Sequence, residues 1–177
     1  MALLAEELVE EWLNRLGYFT IRGIKLGVHE IDLLAVRLRD GEVERRHIEV
    51  QASVRPVSYI TRVPTMVQQA TGRSATSAKS RTDAELAAGI DEWVTKKYDH
   101  PAKRKLRRRL CPGEWTRELV VHVVKYPREL ELLEAHGIVV HRLADVVTAL
   151  KRGDGLLQGA AAGSLADLVA MTARAER

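Results

Sequence analysis

Asp32 and Glu49 are two acidic residues that a predicted β-hairpin brings face to face. Asp40-Gly41 is a strong signal for a two-residue type I′ turn, because both central positions of that turn need a positive φ. If Arg39 pairs with Glu42, paired residue numbers sum to 81 and Asp32 lies opposite Glu49. Cross-strand neighbours have Cβ atoms about 4.5–5.5 Å apart, where two like charges are destabilising. We therefore expect a compensating cation, and a divalent metal ion is the candidate.

Further polar residues share this face of the hairpin, because side chains of a strand alternate between its two faces. Glu30 precedes Asp32 on the first strand, while His47 and Gln51 flank Glu49 on the second. We interpret Glu30 and His47 as residues that surround the acidic pair. A solvated sheet face for Glu30 and a packing role for His47 are the alternatives. The apolar residues that point the other way are Ile31, Leu33, Ala35, Ile48 and Val50.

The tract HEIDLLA followed by IEVQAS resembles the PD-(D/E)xK nuclease superfamily, whose members carry an Asp on one core strand and a (D/E)xK tripeptide on the next. It is similar to archaeal Holliday-junction resolvases, Mrr-like restriction enzymes and YraN-type proteins over about residues 5–53. The resemblance implies that Asp32, Glu49 and the carbonyl of Val50 bind Mg²⁺ or Mn²⁺. It also implies a catalytic Glu6 on the first helix, although glutamates near a helix start favour the helix dipole without any other role.

Gln51 departs from this pattern, because most members of the superfamily have Lys there, while some restriction enzymes use Glu-x-Gln. As a catalytic residue, Gln51 would hydrogen-bond the attacking water or the phosphate. It carries no charge, so more of the neutralisation of the phosphate would fall on the metal or on an arginine from residues 55–81.

Basic residues predict a nucleic acid partner, which we expect to be DNA, with RNA left open. No acidic residue lies between Glu49 and Asp83, six cations fall within residues 103–109, and the net charge is +4. Phosphate contacts of this kind make binding salt-sensitive and largely independent of sequence. A solvated charged face is the alternative for any single residue. The predicted contact residues are Arg55, Arg62, Arg73, Lys79, Arg81, Lys103, Arg104, Lys105, Arg107, Arg108 and Arg109.

Length and composition exclude several classes of protein. The 177 residues contain no apolar run of the ~20 residues that a membrane span needs and no signal-peptide pattern, so we expect a cytoplasmic protein without membrane contact. The single cysteine, Cys111, has no partner for a disulfide or a zinc module.

The order of predicted elements is α-β-β-β-α-β-α-β-α in one domain over residues 1–177, with a core at about 3–152 and a helical extension at about 153–177. The resemblance implies an α/β fold with a restriction-endonuclease-like core, a central mixed sheet flanked by helices. Predicted boundaries are helix 3–16, strand 18–24, the hairpin, helix or loop 65–71, helix 83–98 with Asp83 as its N-cap, helix or loop over the basic cluster, strand 118–126, helix 127–137, strand 138–143, and helices 144–151 and 165–175.

Three functional hypotheses remain open. The first is a metal-dependent nuclease, and the second is a nucleic-acid-binding module on the same fold with little or no catalysis. The third is an unrelated protein whose acidic hairpin binds a structural cation. We also expect a homodimer through the apolar faces of the two C-terminal helices, unless those helices cover the sheet of their own chain.

Overall fold

A computed structural model describes residues 2–53 and 55–157. A five-stranded mixed sheet in the order β1-β2-β3-β4-β5 lies at its centre. The first three strands are antiparallel, and β4 runs parallel to both β3 and β5. The strands are β1 Phe19–Leu26, β2 His29–Arg39, β3 Glu42–Gln51, β4 Thr116–Val121 and β5 Ile138–Arg142. The helices are α1 Ala2–Arg15, α2 Thr65–Thr71, α3 Asp83–Val94 with a π-helical turn Thr95–Asp99, α4 Pro101–Leu110, α5 Arg128–Ala135 and α6 Leu143–Arg152.

Helices cover both faces of the sheet, which confirms the predicted α/β class with a central mixed sheet. On one face, α1 and α6 enclose a core that includes Val9, Leu33, Ile48 and Val120. On the other face, α3, the π-helical turn and α5 enclose a second core around Ile90, Tyr98, Leu119, Leu133 and Ile138. Because Asp32 and Glu49 alternate with Leu33 and Ile48, the two carboxylates lie on the second face.

The predicted hairpin register is confirmed. Arg39 pairs with Glu42, and the ladder continues to Leu33 and Ile48. Asp40 and Gly41 have φ angles of 53° and 83°, the positive values that a type I′ turn requires. The described backbone pairs end at Leu33–Ile48, one residue short of Asp32 and Glu49. Beyond them, Asp32 Oδ2 accepts a hydrogen bond from the backbone N–H of Val50 at 2.8 Å.

Two predicted boundaries are wrong. Strand β4 ends at Val121 rather than at residue 126, because Val121 pairs with the last residue of β3, Gln51, and the last residue of β5, Arg142. The N-cap of α3 is Thr82 rather than Asp83, since the Thr82 hydroxyl accepts the N–H of Glu85 at 3.2 Å in a capping box.

Helix α6 packs on the sheet of its own chain, which is the alternative to a dimer interface given above for this helix. Val146 and Leu150 are buried in the same core as Val9 and Leu13 of α1. This part of the expected dimer surface is therefore covered, while the predicted helix 165–175 lies outside the described residues. No helix within residues 2–53 and 55–157 is long and apolar enough to cross a bilayer.

Candidate active site

The carboxylates of Asp32 and Glu49 meet beneath the π-helical turn and α4. Glu49 is 1% exposed, and Asp32 is partly buried. Burial, followed by the charge of Glu49, raises the pKa of Asp32 to about 6 from its usual 3.8. The predicted acidic pair is therefore brought together, at a place where ionising both groups is costly.

Two lysines supply the positive charge that the sequence assigned to a metal ion alone. Lys97 Nζ lies 2.5 Å from Glu49 Oε2, and Lys103 Nζ lies 3.2 Å from Glu49 Oε1. Lys103 is 1% exposed and also donates to the Lys97 carbonyl at 2.8 Å, so it links Glu49 to the backbone of the π-helical turn in the interior. The side chain of Lys97 is 30% exposed. Lys97 is therefore the member of this pair that a substrate can reach.

His47 is held between Arg107 and Glu49, and the hydrogen bonds determine its tautomer. Arg107 Nη1 lies 2.8 Å from His47 Nδ1, and a guanidinium can only donate. Nδ1 is therefore the acceptor, and Nε2 carries the proton that it donates to Glu49 Oε1 at 3.2 Å. Burial and then the charge of Arg107 lower the pKa of His47 well below its usual value. His47 remains neutral and orients Glu49, which agrees with its predicted place beside the pair.

Glu6 and Glu30 complete the carboxylate cluster, by which we mean Glu6, Glu30, Asp32 and Glu49. Glu6 projects from α1 and is 8% exposed. Burial raises its pKa, and the charges of Asp32 and Glu30 raise it further. Glu6 therefore lies close enough to the acidic pair for their charges to interact, although it is on a different element.

Gln51 lies at the wall of a cleft of about 590 Å³ that opens next to this cluster. We call it the carboxylate cleft; its polar lining includes Glu30, Gln51, Arg62, Lys96, Lys97 and Lys103. The wall opposite the sheet is held close by Gly89 of α3, where an added Cβ would lie 2.9 Å from the Arg62 carbonyl oxygen. Gln51 and Lys97 thus face the same space, although 46 residues separate them.

Three of the residues predicted to contact nucleic acid are buried, which corrects their assignment. Lys103 and Arg107 fill the space between α4 and the sheet, and Arg81 is 8% exposed. The Arg81 guanidinium donates to the Thr61 carbonyl at 3.1 Å and stacks 3.9 Å from the Tyr59 ring centroid. Arg73 is half-buried in an ion pair with Glu85. The predicted contact residues that remain exposed are Arg55, Arg62, Lys79, Arg104, Lys105, Arg108 and Arg109.

Lys97 is the residue of the candidate site that the sequence interpretation missed, although a signal was present. It follows Trp93 by four residues and Val94 by three, so it continues the apolar stripe of α3. A lysine on such a stripe needs a buried partner. Lys103 and Arg107 stand four residues apart and therefore share one face of α4, which is turned inward. Single π-helical turns are frequent at functional sites, and this one carries Lys97.

The carboxylate cluster carries more negative charge than the two lysines that contact Glu49 supply. Four carboxylates against the ammonium groups of Lys97 and Lys103 leave two negative charges. Arg22, which also acts on Glu6, is paired with Glu10 at 2.8 Å. In the part of the chain that the structure describes, no three His, Cys, Asp or Glu side chains converge in a ready coordination shell. Binding of a metal would therefore require Lys97 to release one oxygen of Glu49.

Comparisons with known proteins do not assign the chain to a family. No protein-family model matches it, and no curated protein matches it. A solved structure described as "Crystal Structure of Protein of Unknown Function AF1548" is similar over 98% of this chain and 97% of that chain, with 14% sequence identity and a TM-score of 0.44. The function of this chain therefore has to be inferred from its own residues.

Proposed function

We propose that the protein is a metal-dependent nuclease that hydrolyses phosphodiester bonds, with DNA as its substrate. The observation that carries the proposal is the buried Asp32–Glu49 pair with Lys97 beside it at the wall of an open cleft. Acidic pairs and a lysine in such an arrangement suit hydrolysis of a phosphodiester, which needs an activated water and a cation near the phosphate. The resemblance of HEIDLLA and IEVQAS to PD-(D/E)xK nucleases supports the same reaction.

Asp32 and Glu49 would hold Mg²⁺ or Mn²⁺, with the Val50 carbonyl as the third ligand expected from the sequence and Glu6 or Glu30 as an outer contributor. Hard divalent cations of this kind prefer carboxylate and carbonyl oxygens. When bound, the ion would supply an acidified water and stabilise negative charge on the phosphate.

Lys97 takes the charge-neutralising role that Gln51 cannot fill. Its ammonium is held at 2.5 Å by Glu49, and its partly exposed stem allows the group to turn toward a phosphate in the cleft. Arg62 lines the same cleft and adds the arginine expected from residues 55–81. The amide of Gln51 can donate to a phosphate oxygen or position a water.

The two metal-binding carboxylates of this proposal are held in place by contacts on both sides. The N–H of Val50 fixes the Asp32 carboxylate through Oδ2. His47 and Lys103 hold Glu49 from the opposite side, so the acidic pair keeps its geometry while a substrate enters.

The test is incubation with labelled linear, single-stranded and branched DNA and RNA in Mn²⁺ and in EDTA. Wild-type protein should cleave at least one DNA substrate in Mn²⁺ only, and Asp32→Asn and Glu49→Gln should abolish cleavage while nucleic acid binding persists. Glu42→Gln, an exposed change at the start of the same strand, is the matched control and should cleave normally. Cleavage that survives both Asp32→Asn and Glu49→Gln would contradict the proposal.

A nucleic-acid-binding module without catalysis is the second candidate. It is favoured by the lysines that already occupy both oxygens of Glu49. Saturable Mn²⁺ binding and DNA binding without cleavage of any substrate would select this function. Cation binding without polyanion binding or cleavage would select the third hypothesis, a structural cation site.

A further inference from the structure

A second cleft, of about 600 Å³, lies on the other side of α4 from the carboxylate cleft. We call it the arginine cleft; its lining includes Asp99, Arg104, Arg107, Arg108, Trp115 and Arg117. Arg117 pairs with His47, and Val121 pairs with Gln51, so the two clefts lie four residues apart along the strands. This spacing corresponds to roughly 13 Å.

Positive charge in the arginine cleft is only partly neutralised, because its lining includes four arginines but only two carboxylates, those of Asp99 and Glu114. Arg117 is paired with Asp99 at 2.9 Å, and Arg107 is turned inward to His47. Arg104 and Arg108 are exposed, and no described residue forms an ion pair with either. They stand four residues apart on one face of α4, where like charges repel each other. The helix dipole accounts for cations in the last turn, which include Arg108, but it does not account for Arg104.

A fixed aromatic ring accompanies these two guanidinium groups. Trp115 is half-buried, and its Nε1 donates to the Cys111 carbonyl at 3.1 Å, which holds the indole at the wall of the cleft. Guanidinium pairs bind phosphate through paired N–H donors, and indole rings stack with nucleobases. The volume of the cleft is in the range of sites that bind small organic groups.

We infer that the arginine cleft binds an unpaired nucleotide of a single-stranded nucleic acid segment, with its phosphates on Arg104 and Arg108 and its base on Trp115. The inference rests on the proposed function for the cleavage of that strand. If the protein is a nuclease, its preferred substrate has a single-stranded segment a few nucleotides from the bond that is cut. Binding itself needs neither metal nor cleavage. An acidic peptide would use the arginines but gain nothing from the indole.

The experiment is fluorescence anisotropy of the full chain in EDTA with labelled oligothymidine, a matched duplex and polyglutamate as competitor. Arg104→Ala with Arg108→Ala should weaken oligothymidine binding by about tenfold or more and reduce the slope of log K against log salt by about 1.4, since each lost phosphate contact on a single strand contributes about 0.7. Arg39→Ala with Arg152→Ala removes the same charge from exposed positions elsewhere and should leave binding within about twofold.

Trp115 separates base stacking from charge. Trp115→Ala should weaken oligothymidine binding by about tenfold, whereas Trp115→Phe, which also loses the bond to Cys111 but keeps a ring, should retain most of it. The arginine variants alter only exposed side chains, so they test the cleft even if Trp115→Ala fails to fold. Equal binding of duplex and single strand, undiminished binding by the double arginine variant, or equal competition by polyglutamate would overturn the inference. Wild-type protein that binds oligothymidine through this cleft in EDTA but cleaves no substrate in Mn²⁺ would contradict the nuclease proposal alone, so failure of the nuclease proposal and failure of this cleft give different results.

Discussion

Asp32→Asn should make the metal-free protein more stable at pH 8, although it removes a central residue of the candidate site. The folded protein raises the pKa of Asp32 from 3.8 to about 6, so it binds this proton more tightly than the unfolded chain does. The stabilising contribution is therefore fully present below about pH 4 and is lost as the pH rises through about 6. A shift of about 2 pKa units corresponds to about 3 kcal/mol, and solvent screening of this partly exposed carboxylate reduces it to about 1–2 kcal/mol.

Asparagine removes this penalty while its side-chain oxygen can still accept the N–H of Val50. For a chain of this size, the expected gain is about 2–8 °C in melting temperature at pH 8, shrinking toward zero at pH 4. Thermal melts in EDTA at pH 4, 6 and 8 measure it. Glu30→Gln changes an exposed carboxylate on the same strand and should shift the melting temperature much less. Added Mn²⁺ should stabilise wild type and not Asp32→Asn. A lower melting temperature of Asp32→Asn at pH 8, or an equal difference at pH 4, would refute the reasoning.

Four further predictions follow from single contacts or surfaces. Gln51→Ala should reduce cleavage by about tenfold, or about 1.4 kcal/mol, without loss of Mn²⁺ binding, whereas Gln51→Lys should retain activity; wild-type rates for both would remove Gln51 from the site. Lys97→Met should lower cleavage by about a hundredfold yet strengthen Mn²⁺ binding measured by calorimetry, because it frees Glu49 Oε2; weaker Mn²⁺ binding would contradict this. Burial alone would raise the pKa of Glu118, but hydrogen bonds from His141 and Arg46 lower it to about 2, so wild type should lose stability as the pH falls from about 4.5 toward 2. Glu118→Gln should have a lower melting temperature than wild type at pH 7, and this difference should become smaller in acid. A difference in melting temperature that does not change with pH would argue against the ion pair. Sedimentation should give a dimeric mass for the full chain and a monomeric mass for residues 1–153; equal monomeric masses would exclude the dimer.

Local sequence rules were sufficient for the hairpin that carries the acidic pair. Asp40-Gly41 has few alternatives to a type I′ turn, and this turn determines the register of every pair from Arg39–Glu42 to Leu33–Ile48. Strand alternation then places Asp32 and Glu49 on one face without any knowledge of the rest of the chain. The short helix Thr65–Thr71 is likewise found at its predicted boundaries.

Only the tertiary structure decided which cations meet these carboxylates. Lys97 and Glu49 are 48 residues apart, and their contact depends on how α3 and its π-helical turn pack across the sheet. Composition predicts that all the basic residues of α4 form one surface for phosphate. Packing places some of them in the interior and others at the surface. Lys103 and Arg107 turn inward to Glu49 and His47, while Arg104 and Arg108 stay in solvent. Side-chain type fixes the charge of a residue, and helix periodicity indicates which side of a helix turns inward, but the partner that this charge meets is decided by packing between segments far apart in the chain.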